Sequence, residues 1–162
     1  MGTEIERKFL VNGSEWSSLA EGIRYLQGYL CTDKNRTIRV RTAGDKGYIT
    51  IKGPGDGLVR PEYEYEIPCR DAAEMIERLC EKPVIDKKRY SIPFGSHIWE
   101  VDEFFGDNEG LVIAEVELED PSEEVELPAW IGAEVTGERR YYNAHLVKNP
   151  YRLWKDQAAQ RE

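Results

Sequence analysis

The chain has 162 residues, of which 40% are hydrophobic and 33% charged, with a formal net charge of −9. This length suits a single domain over residues 1–162, large enough to bury a sizeable core. The acidic balance argues against general nucleic-acid binding, which needs a basic excess, and no apolar run approaches the roughly 20 residues that span a bilayer. The three cysteines are odd in number and lack CxxC spacing, so we expect reduced thiols in the cytoplasm rather than a zinc site or disulfides.

In chain order, turn sequences rich in Gly, Asn, Asp and Pro separate stretches in which apolar and polar side chains alternate. The alternation predicts antiparallel strands joined by hairpins, near residues 3–11, 25–31, 36–43, 47–53, 61–68, 86–93, 97–104 and 111–119. Weaker helical signals cover residues 15–20 and 141–159, the latter broken at Pro150. The predicted fold class is therefore α+β and predominantly β.

One interruption of the strand pattern is clearly helical. Apolar residues from Ala72 to Cys80 recur at helical spacing, and Asp71 precedes them as the predicted cap. Glu74 stands three residues after Asp71, in the capping-box position, and Pro83 ends the run. The pattern predicts a helix that covers one face of the sheet.

The informative feature of the strands is that ionic side chains alternate with apolar ones. Successive strand residues point to opposite faces, and in one strand after another the first face is ionic and the second apolar. In the first strand Glu4, Glu6 and Lys8 share a face. An ordinary sheet with one solvated face explains any single strand of this kind. A sheet of about eight strands tends to close, however, and closure with the apolar side outward would enclose the ionic face as a lumen.

An enclosed ionic face cannot be a dry core, because unpaired buried charges are too costly. It must be wet, cross-paired and suited to a highly charged ligand. Arginine and lysine bind phosphate oxygens, and the predicted basic wall consists of Lys8, Arg39, Arg41, Lys52, Lys87 and Arg89. The carboxylates on the same face would repel a polyanion without a divalent cation between them; they are Glu4, Glu6, Glu115 and Glu117. Because Mg²⁺ and Mn²⁺ accept hard oxygen ligands together with phosphate oxygens, this face favours metal-assisted phosphate chemistry.

The segment Glu4-Ile5-Glu6-Arg7-Lys8 matches an ExExK signature, and through it the chain resembles the CYTH domains, the triphosphate tunnel metalloenzymes. Later pieces of the family pattern follow in order: Arg39-Val40-Arg41, Thr50-Ile51-Lys52, Glu62-Tyr63-Glu64, Lys87-Lys88-Arg89, Asp102 and Glu115-Val116-Glu117. Residues 134–141 resemble the family's C-terminal segment. The resemblance implies an eight-stranded antiparallel closed β-barrel that encloses a tunnel, with helices packed outside.

The resemblance also implies roles for individual residues. It makes the four carboxylates named above the ligands of Mg²⁺ or Mn²⁺ and the six basic residues the triphosphate-binding set, with a further contact from Arg139 or Arg140. Acidic tunnel positions that either orient the basic side chains or help to hold a second metal are Glu62, Glu64 and Asp102. Lys87 is the candidate for proton transfer, because crowding by cations would depress its pKa. Tyr29 could pair with Lys87 in catalysis or simply pack as a barrel aromatic.

Activities in the family include inorganic triphosphatase, thiamine triphosphatase and class IV adenylyl cyclase. A cyclase must also recognise adenine and ribose, and a thiamine triphosphatase needs an apolar site for the heterocycle. The four tryptophans (Trp16, Trp99, Trp130 and Trp154) could supply this site, but packing against helices is the favoured interpretation of each. The compact chain favours hydrolysis of inorganic triphosphate. The rival from another class is a non-catalytic polyphosphate-binding module. The expected partner is a small polyphosphate, not nucleic acid or a membrane, and both a monomer and a homodimer stay open.

Overall fold

A computed structural model describes residues 2–33, 35–55 and 58–156 of the chain. The strands in this part are β1 (Gly2–Val11), β2 (Gly22–Cys31), β3 (Thr37–Ala43), β4 (Lys46–Lys52), β5 (Val59–Ile67), β6 (Ile85–Phe94), β7 (His97–Phe104), β8 (Val112–Glu117) and β9 (Ile131–Glu134). The helices are α1 (Cys69–Arg78) and α2 (Asn143–Lys148), with 3₁₀ turns at Glu15–Ser18, Gly106–Asn108, Arg139–Tyr141 and Tyr151–Leu153. The predicted helical region beyond residue 156 lies outside the described residues.

Eight of the strands form a closed antiparallel barrel, as predicted. They follow the order β5-β4-β3-β2-β6-β7-β8-β1, and β1 pairs back onto β5 through Gly2–Ile5. The β3–β4 and β6–β7 hairpins turn through two-residue loops that begin at Gly44 and Gly95, each with φ of 61°. This positive φ is what the first loop residue of a type II′ turn requires, and glycine adopts it without strain.

The ninth strand was not predicted. β9 has four residues and extends the sheet beside β1, with Phe9 opposite Glu134 and Val11 opposite Ile131 across an irregular register. A strand this short shows too little alternation to be recognised in a sequence. Its pairing ties the C-terminal segment (residues 131–154) to the first strand of the barrel.

The helices differ in detail from the prediction. α1 begins at Cys69, directly after Pro68, so Asp71 lies in its first turn and the predicted capping role of Asp71 is wrong. The helix starts early because the chain leaves β5 at residue 67 with no connecting loop. The signal at 15–20 corresponds to a 3₁₀ turn, and the C-terminal region breaks at Pro150 as predicted. Within the described residues, no helix has both the length and the apolar character needed to cross a membrane.

Most apolar side chains lie on the outer face of the barrel. α1 covers β3 and β4, where Ala72 and Ile76 pack against Val40. A second outer cluster places Trp16 and Trp130 with the barrel residues Phe9, Trp99, Val101 and Val116. The predicted orientation, apolar outside and ionic inside, is therefore correct for this part of the barrel.

One end of the lumen differs, because its inward positions are apolar. Ile85 is two residues from Lys87 and Phe104 two residues from Asp102, so these pairs share the inner face. The buried cluster at this end includes Leu10, Tyr29, Ile85, Phe104 and Ile113, against which the C-terminal segment packs Tyr141, Leu146, Val147 and Trp154. The lumen is thus ionic over only part of its length, and the C-terminal segment stabilises its apolar end.

Candidate active site

A cavity of about 490 Å³ occupies the ionic part of the lumen. All eight barrel strands contribute to its lining, which brings together residues far apart in the sequence. The predicted site residues that line it are Glu4, Glu6, Lys8, Tyr29, Arg39, Arg41, Lys52, Glu62, Glu64, Lys87, Arg89, Glu115 and Glu117. Asp102 is buried beside the cavity, where it contacts Lys87 and Arg89.

Strand register decides which charges meet inside the barrel. Lys8 of β1 stands opposite Glu115 of β8, and its Nζ lies 3.6 Å from Oε1 of Glu115. Lys52 of β4 stands opposite Glu62 of β5, with 3.5 Å between Nζ and Oε2, and its Nζ also donates to Oε1 of Glu4 at 2.8 Å. Acidic and basic residues that cluster by sign within each strand are therefore paired across strands.

The glutamates of β1 and β8 form the acidic part of the cavity. Burial raises the pKa of Glu6 well above its usual range, and the negative charges of Glu115 and Glu4 raise it further. Burial also opposes ionisation of Glu115, but Lys8 and a hydrogen bond from Glu6 outweigh it and hold the pKa of Glu115 well below its usual range. Burial and the neighbouring carboxylates therefore favour the protonated form of Glu6, as expected of close carboxyl groups with too little positive charge between them.

The acidic residues fit a divalent cation by their chemistry. Within the described residues, Oε2 of Glu4 is buried and accepts no hydrogen bond, although Nε of Arg60 lies 3.8 Å away. This oxygen and the raised pKa of Glu6 mark places where a cation would compensate negative charge. In the same part of the chain, no three acidic, histidine or cysteine side chains converge into a ready-made metal site. Metal ligation by the four glutamates therefore stays a prediction.

The arginine wall, formed by Arg39 and Arg41 of β3 and Arg60 of β5, is only partly neutralised. Nη2 of Arg39 lies 3.7 Å from Glu64, and Nη2 of Arg41 lies 3.4 Å from the other oxygen of the same carboxylate. Among the described residues, the Nε atoms of all three arginines are buried without a hydrogen-bond acceptor. Buried donors without a partner are costly, so this wall is suited to an anionic ligand.

Aromatic rings contact the guanidinium of Arg41, whose positive charge is opposed by its surroundings. Burial lowers the pKa of Arg41, and the neighbouring charges of Arg39 and Arg89 lower it further. Its guanidinium lies over the rings of Tyr25 and Tyr48, 4.9 and 5.2 Å from their centroids. Ring faces attract a cation without neutralising it, so Arg41 keeps its capacity to bind an anion.

In the buried ion-pair centre (Lys87, Arg89 and Asp102), by contrast, every charged group has a direct counter-ion. Arg89 donates to Asp102 through Nε at 2.8 Å and Nη2 at 2.9 Å, and to Glu100 through Nη1 at 3.1 Å. Nζ of Lys87 donates to Oδ2 of Asp102 at 2.8 Å and to Oδ1 of Asn143 at 3.1 Å. Burial lowers the pKa of Lys87 to about 7, with Asp102 opposing the shift and Arg89 adding to it. This lysine can therefore exchange a proton near neutral pH.

Tyr29 lines the cavity and also belongs to the buried apolar cluster at the end of the lumen. Within the described residues, none of the hydrogen bonds joins its hydroxyl to Lys87, whose partners are Asp102 and Asn143. The contacts of Tyr29 are those of a packing residue of the barrel wall.

The two C-terminal arginines and the tryptophans occupy different places. Arg139 lines the cavity, whereas the guanidinium of Arg140 lies 4.8 Å from the ring centroid of Trp154, on the C-terminal segment. The four tryptophans are all buried in the apolar clusters around the barrel. None of these four rings is in the described cavity lining, so they act as packing residues and form no heterocycle site there.

The cavity lining also includes residues that the sequence analysis missed, among them Arg60, Tyr142 and Asn143. Arg60 alternates with Glu62 and Glu64 along β5, so the period of two could have identified it. Tyr142 lies under the ammonium of Lys8, 5.0 Å from its ring centroid. It precedes Asn143, the first residue of α2, in a segment with no strand pattern, and no sequence signal points to either residue.

The fold and this cavity together define a closed antiparallel barrel with an interior lined by ionic side chains. The profile of the CYTH domain family matches residues 2–144, and the chain belongs to this family. It is 56% identical over 156 residues to the inorganic triphosphatase of Acetivibrio thermocellus, covering 96% of this chain and 100% of that protein. It is 38% identical over 150 residues to the inorganic triphosphatase of Nitrosomonas europaea, covering 90% of this chain and 97% of that one. A crystal structure of an inorganic triphosphatase superposes with a TM-score of 0.64 at 34% identity, over 91% of this chain and 95% of the other.

Proposed function

We propose that this chain is a divalent-metal-dependent hydrolase that cleaves a phosphoanhydride bond of inorganic triphosphate inside the barrel. The observation that carries the proposal is the arginine wall, whose three buried Nε donors have no acceptor among the described residues. A linear polyphosphate offers oxygens along its whole length and can satisfy several such donors at once. The names of the two relatives support the same substrate.

The basic residues hold the substrate in this proposal. They are Lys8, Arg39, Arg41, Lys52, Lys87 and Arg89 from the predicted basic wall, joined by Arg60 and Arg139. Positive charges along the substrate keep the scissile bond in line with the attacking water and neutralise charge on the leaving phosphate. Recognition then depends on the phosphate groups and not on a base or heterocycle.

The acidic residues divide into two groups in this proposal. Glu4, Glu6, Glu115 and Glu117 would hold Mg²⁺ or Mn²⁺, which, when bound, polarises phosphoryl oxygens and lowers the pKa of water. Glu64 and Asp102 orient arginines through their ion pairs, and Glu62 orients Lys52. Because Asp102 is enclosed by Lys87 and Arg89, we assign it to positioning and not to a second metal.

Lys87 is the proposed proton donor. A pKa near 7 leaves both the ammonium and the amine populated at neutral pH. The ammonium has three donor hydrogens, two of which are used by Asp102 and Asn143, so one is available to a phosphate oxygen. Donation to the leaving oxygen would offset the charge that develops as the bond breaks. We assign Tyr29 to shaping the cavity wall next to this lysine.

Purified protein incubated with triphosphate, thiamine triphosphate or ATP, each with Mg²⁺ or Mn²⁺, tests the proposal directly. We expect phosphate release to be fastest from triphosphate and to stop when EDTA is added. A Glu115→Gln/Glu117→Gln double variant should lose turnover. If the chain is instead a non-catalytic binding module, the wild-type protein will bind triphosphate and release no phosphate. Formation of cyclic AMP from ATP with triphosphate left intact would overturn the proposal.

We also propose a cytoplasmic location for this chain, as one domain over residues 1–162. The three cysteines, all within the described residues, are free thiols, which suits a reducing compartment. Cell fractionation tests the location, and size-exclusion chromatography with light scattering distinguishes a monomer from a homodimer.

A further inference from the structure

The C-terminal segment reaches the buried ion-pair centre through one side chain, that of Asn143. Its amide oxygen Oδ1 accepts a hydrogen bond from Nζ of Lys87 at 3.1 Å and another from Nε2 of Gln27 at 3.1 Å. Lys87 and Gln27 are both 0% exposed. Asn143 thus joins two fully buried side chains of the barrel, one on β6 and one on β2.

The contact with Gln27 fixes the direction of the Asn143 amide. Lys87 and Gln27 both offer donors, so a reversed amide would place its own NH₂ group against them. Gln27 gains little else, because its Oε1 is buried and, among the described residues, accepts no hydrogen bond. A fully buried amide with an unsatisfied oxygen is unfavourable for stability, which points to a role for Gln27 in orienting Asn143.

The packing of the C-terminal segment keeps Asn143 in place. Leu146 and Val147 of α2 lie in the buried cluster with Ile85 and Phe104. Ile85 is two residues before Lys87 on β6, and Phe104 follows Asp102 by two on β7. The strands that carry the ion pair therefore also anchor the segment that carries Asn143, and the two hydrogen-bonding partners of Lys87 are held by one rigid unit.

We propose that Asn143 is a positioning residue for Lys87, with Gln27 orienting its amide. Asp102 and Asn143 together engage two of the three donors of the Lys87 ammonium, so rotation about the last bond of the side chain stops and the third donor keeps one direction. Without Asn143, Nζ is fixed by Asp102 alone and the third donor is free to turn away from the substrate. This inference rests on the proposed function, because it assigns Lys87 to the reacting end of triphosphate.

An Asn143→Leu variant tests the inference, because leucine has nearly the same size and no acceptor. Loss of alignment should lower kcat for triphosphate by about tenfold to about 100-fold, while KM stays within about threefold because the arginine wall is untouched. Asn143→Asp keeps an acceptor oxygen in the same place, but its negative charge raises the pKa of Lys87, so it should restore most of kcat with an optimum at higher pH. Asn149→Leu is the matched control, since it makes the same change at an exposed position just after α2.

The Gln27→Leu variant and the double variant complete a mutant cycle. If Gln27 acts through Asn143, Gln27→Leu lowers kcat less than Asn143→Leu does, and the double variant is no slower than Asn143→Leu alone. Thermal unfolding of each variant separates this effect from loss of fold, and all kinetics are measured below the transition.

Three results would overturn the inference. These are a kcat for Asn143→Leu within about twofold of the wild type, an equal loss in the Asn149→Leu control, and a loss that Asn143→Asp does not recover at any pH. The activity of the wild type distinguishes failure of this inference from failure of the proposed function. If the wild type does not hydrolyse triphosphate, the proposed function fails, whereas normal turnover by both the wild type and Asn143→Leu rejects only the role of Asn143.

Discussion

The arginines of the arginine wall and the arginine of the buried ion-pair centre differ in how completely their charges are paired. Arg89 in the centre has a two-point contact with Asp102 and a third contact with Glu100. Arg39 and Arg41 in the wall share one carboxylate at 3.4 to 3.7 Å and keep buried Nε donors that no described group accepts. The centre is therefore organised before ligand binding, whereas the wall lacks the negative charge that a polyphosphate would supply.

The largest effect that we expect is a loss of stability when the buried ion-pair centre is disrupted. Asp102→Ala would leave Lys87 and Arg89 buried without their main counter-ion, and such a change costs about 3–5 kcal/mol. Urea unfolding should show this loss in the free energy of unfolding. The exposed pair Arg24–Asp86, with 2.7 Å between Nη2 and Oδ2, is the matched control, and Arg24→Ala should destabilise the chain much less, because solvent screens an exposed ion pair. Equal losses at the two sites would contradict the contrast.

The next effect is the pH dependence of stability that Lys87 introduces. Its pKa is about 7 in the folded chain against 10.5 for an ordinary lysine, so the unfolded chain binds more protons between these values. The Lys87 contribution to the free energy of unfolding must therefore rise as pH increases from about 7 towards 10.5. Urea unfolding across this range, compared with Lys87→Met, should show the wild type gaining stability relative to the variant. A constant difference between the two would contradict the lowered pKa.

Substitution of an arginine in the arginine wall should lower the affinity for triphosphate without lowering the free energy of unfolding. Arg41→Ala removes charge-assisted hydrogen bonds of about 1.5–3 kcal/mol to the ligand, so we expect the affinity for triphosphate to fall by at least about tenfold. The free energy of unfolding should stay the same or rise, because burial and the charges of Arg39 and Arg89 already oppose the charged form. Calorimetric titration with triphosphate and urea unfolding check the two halves of this prediction. A destabilisation as large as that of Asp102→Ala would show that the wall is also a structural element.

The smallest effect distinguishes Arg139 from Arg140. Arg139 lines the cavity but is exposed, so solvent weakens its contribution and Arg139→Ala should reduce kcat/KM by no more than about fivefold. Arg140 stacks on Trp154, so Arg140→Ala should leave kcat/KM unchanged and lower the melting temperature slightly. Steady-state kinetics of both variants with triphosphate check this prediction. A larger loss of kcat/KM in Arg140→Ala than in Arg139→Ala would contradict it.

Much of the barrel and its charged lining could be predicted because both depend on a local rule. The period of two places Glu4, Glu6 and Lys8 on one face whatever they later pair with. The same rule also located Arg41 and Lys87 inside the barrel. Capping of α1 was less predictable, because its start at Cys69 depends on how β5 ends at residue 67.

The apolar end of the lumen and the role of Asn143 could not be predicted in the same way. Ile85 and Phe104 share the parity of the inward charges, but only the packing of Leu146 and Trp154 against them shows that this end is dry. Asn143 follows no repeat, and its contact with Lys87 joins residues 56 positions apart. Such contacts depend on where the C-terminal segment crosses the barrel.

The sequence by itself determined the eight barrel strands, the face on which each charge lies and the sign of that charge, because alternation is a property of a single strand. The tertiary structure decided which charges neutralise one another and which stay available. That choice depends on the register between strands: Asp102 stands directly opposite Arg89 and pairs with it, whereas Arg39 faces Thr50 and must share Glu64 one strand further on.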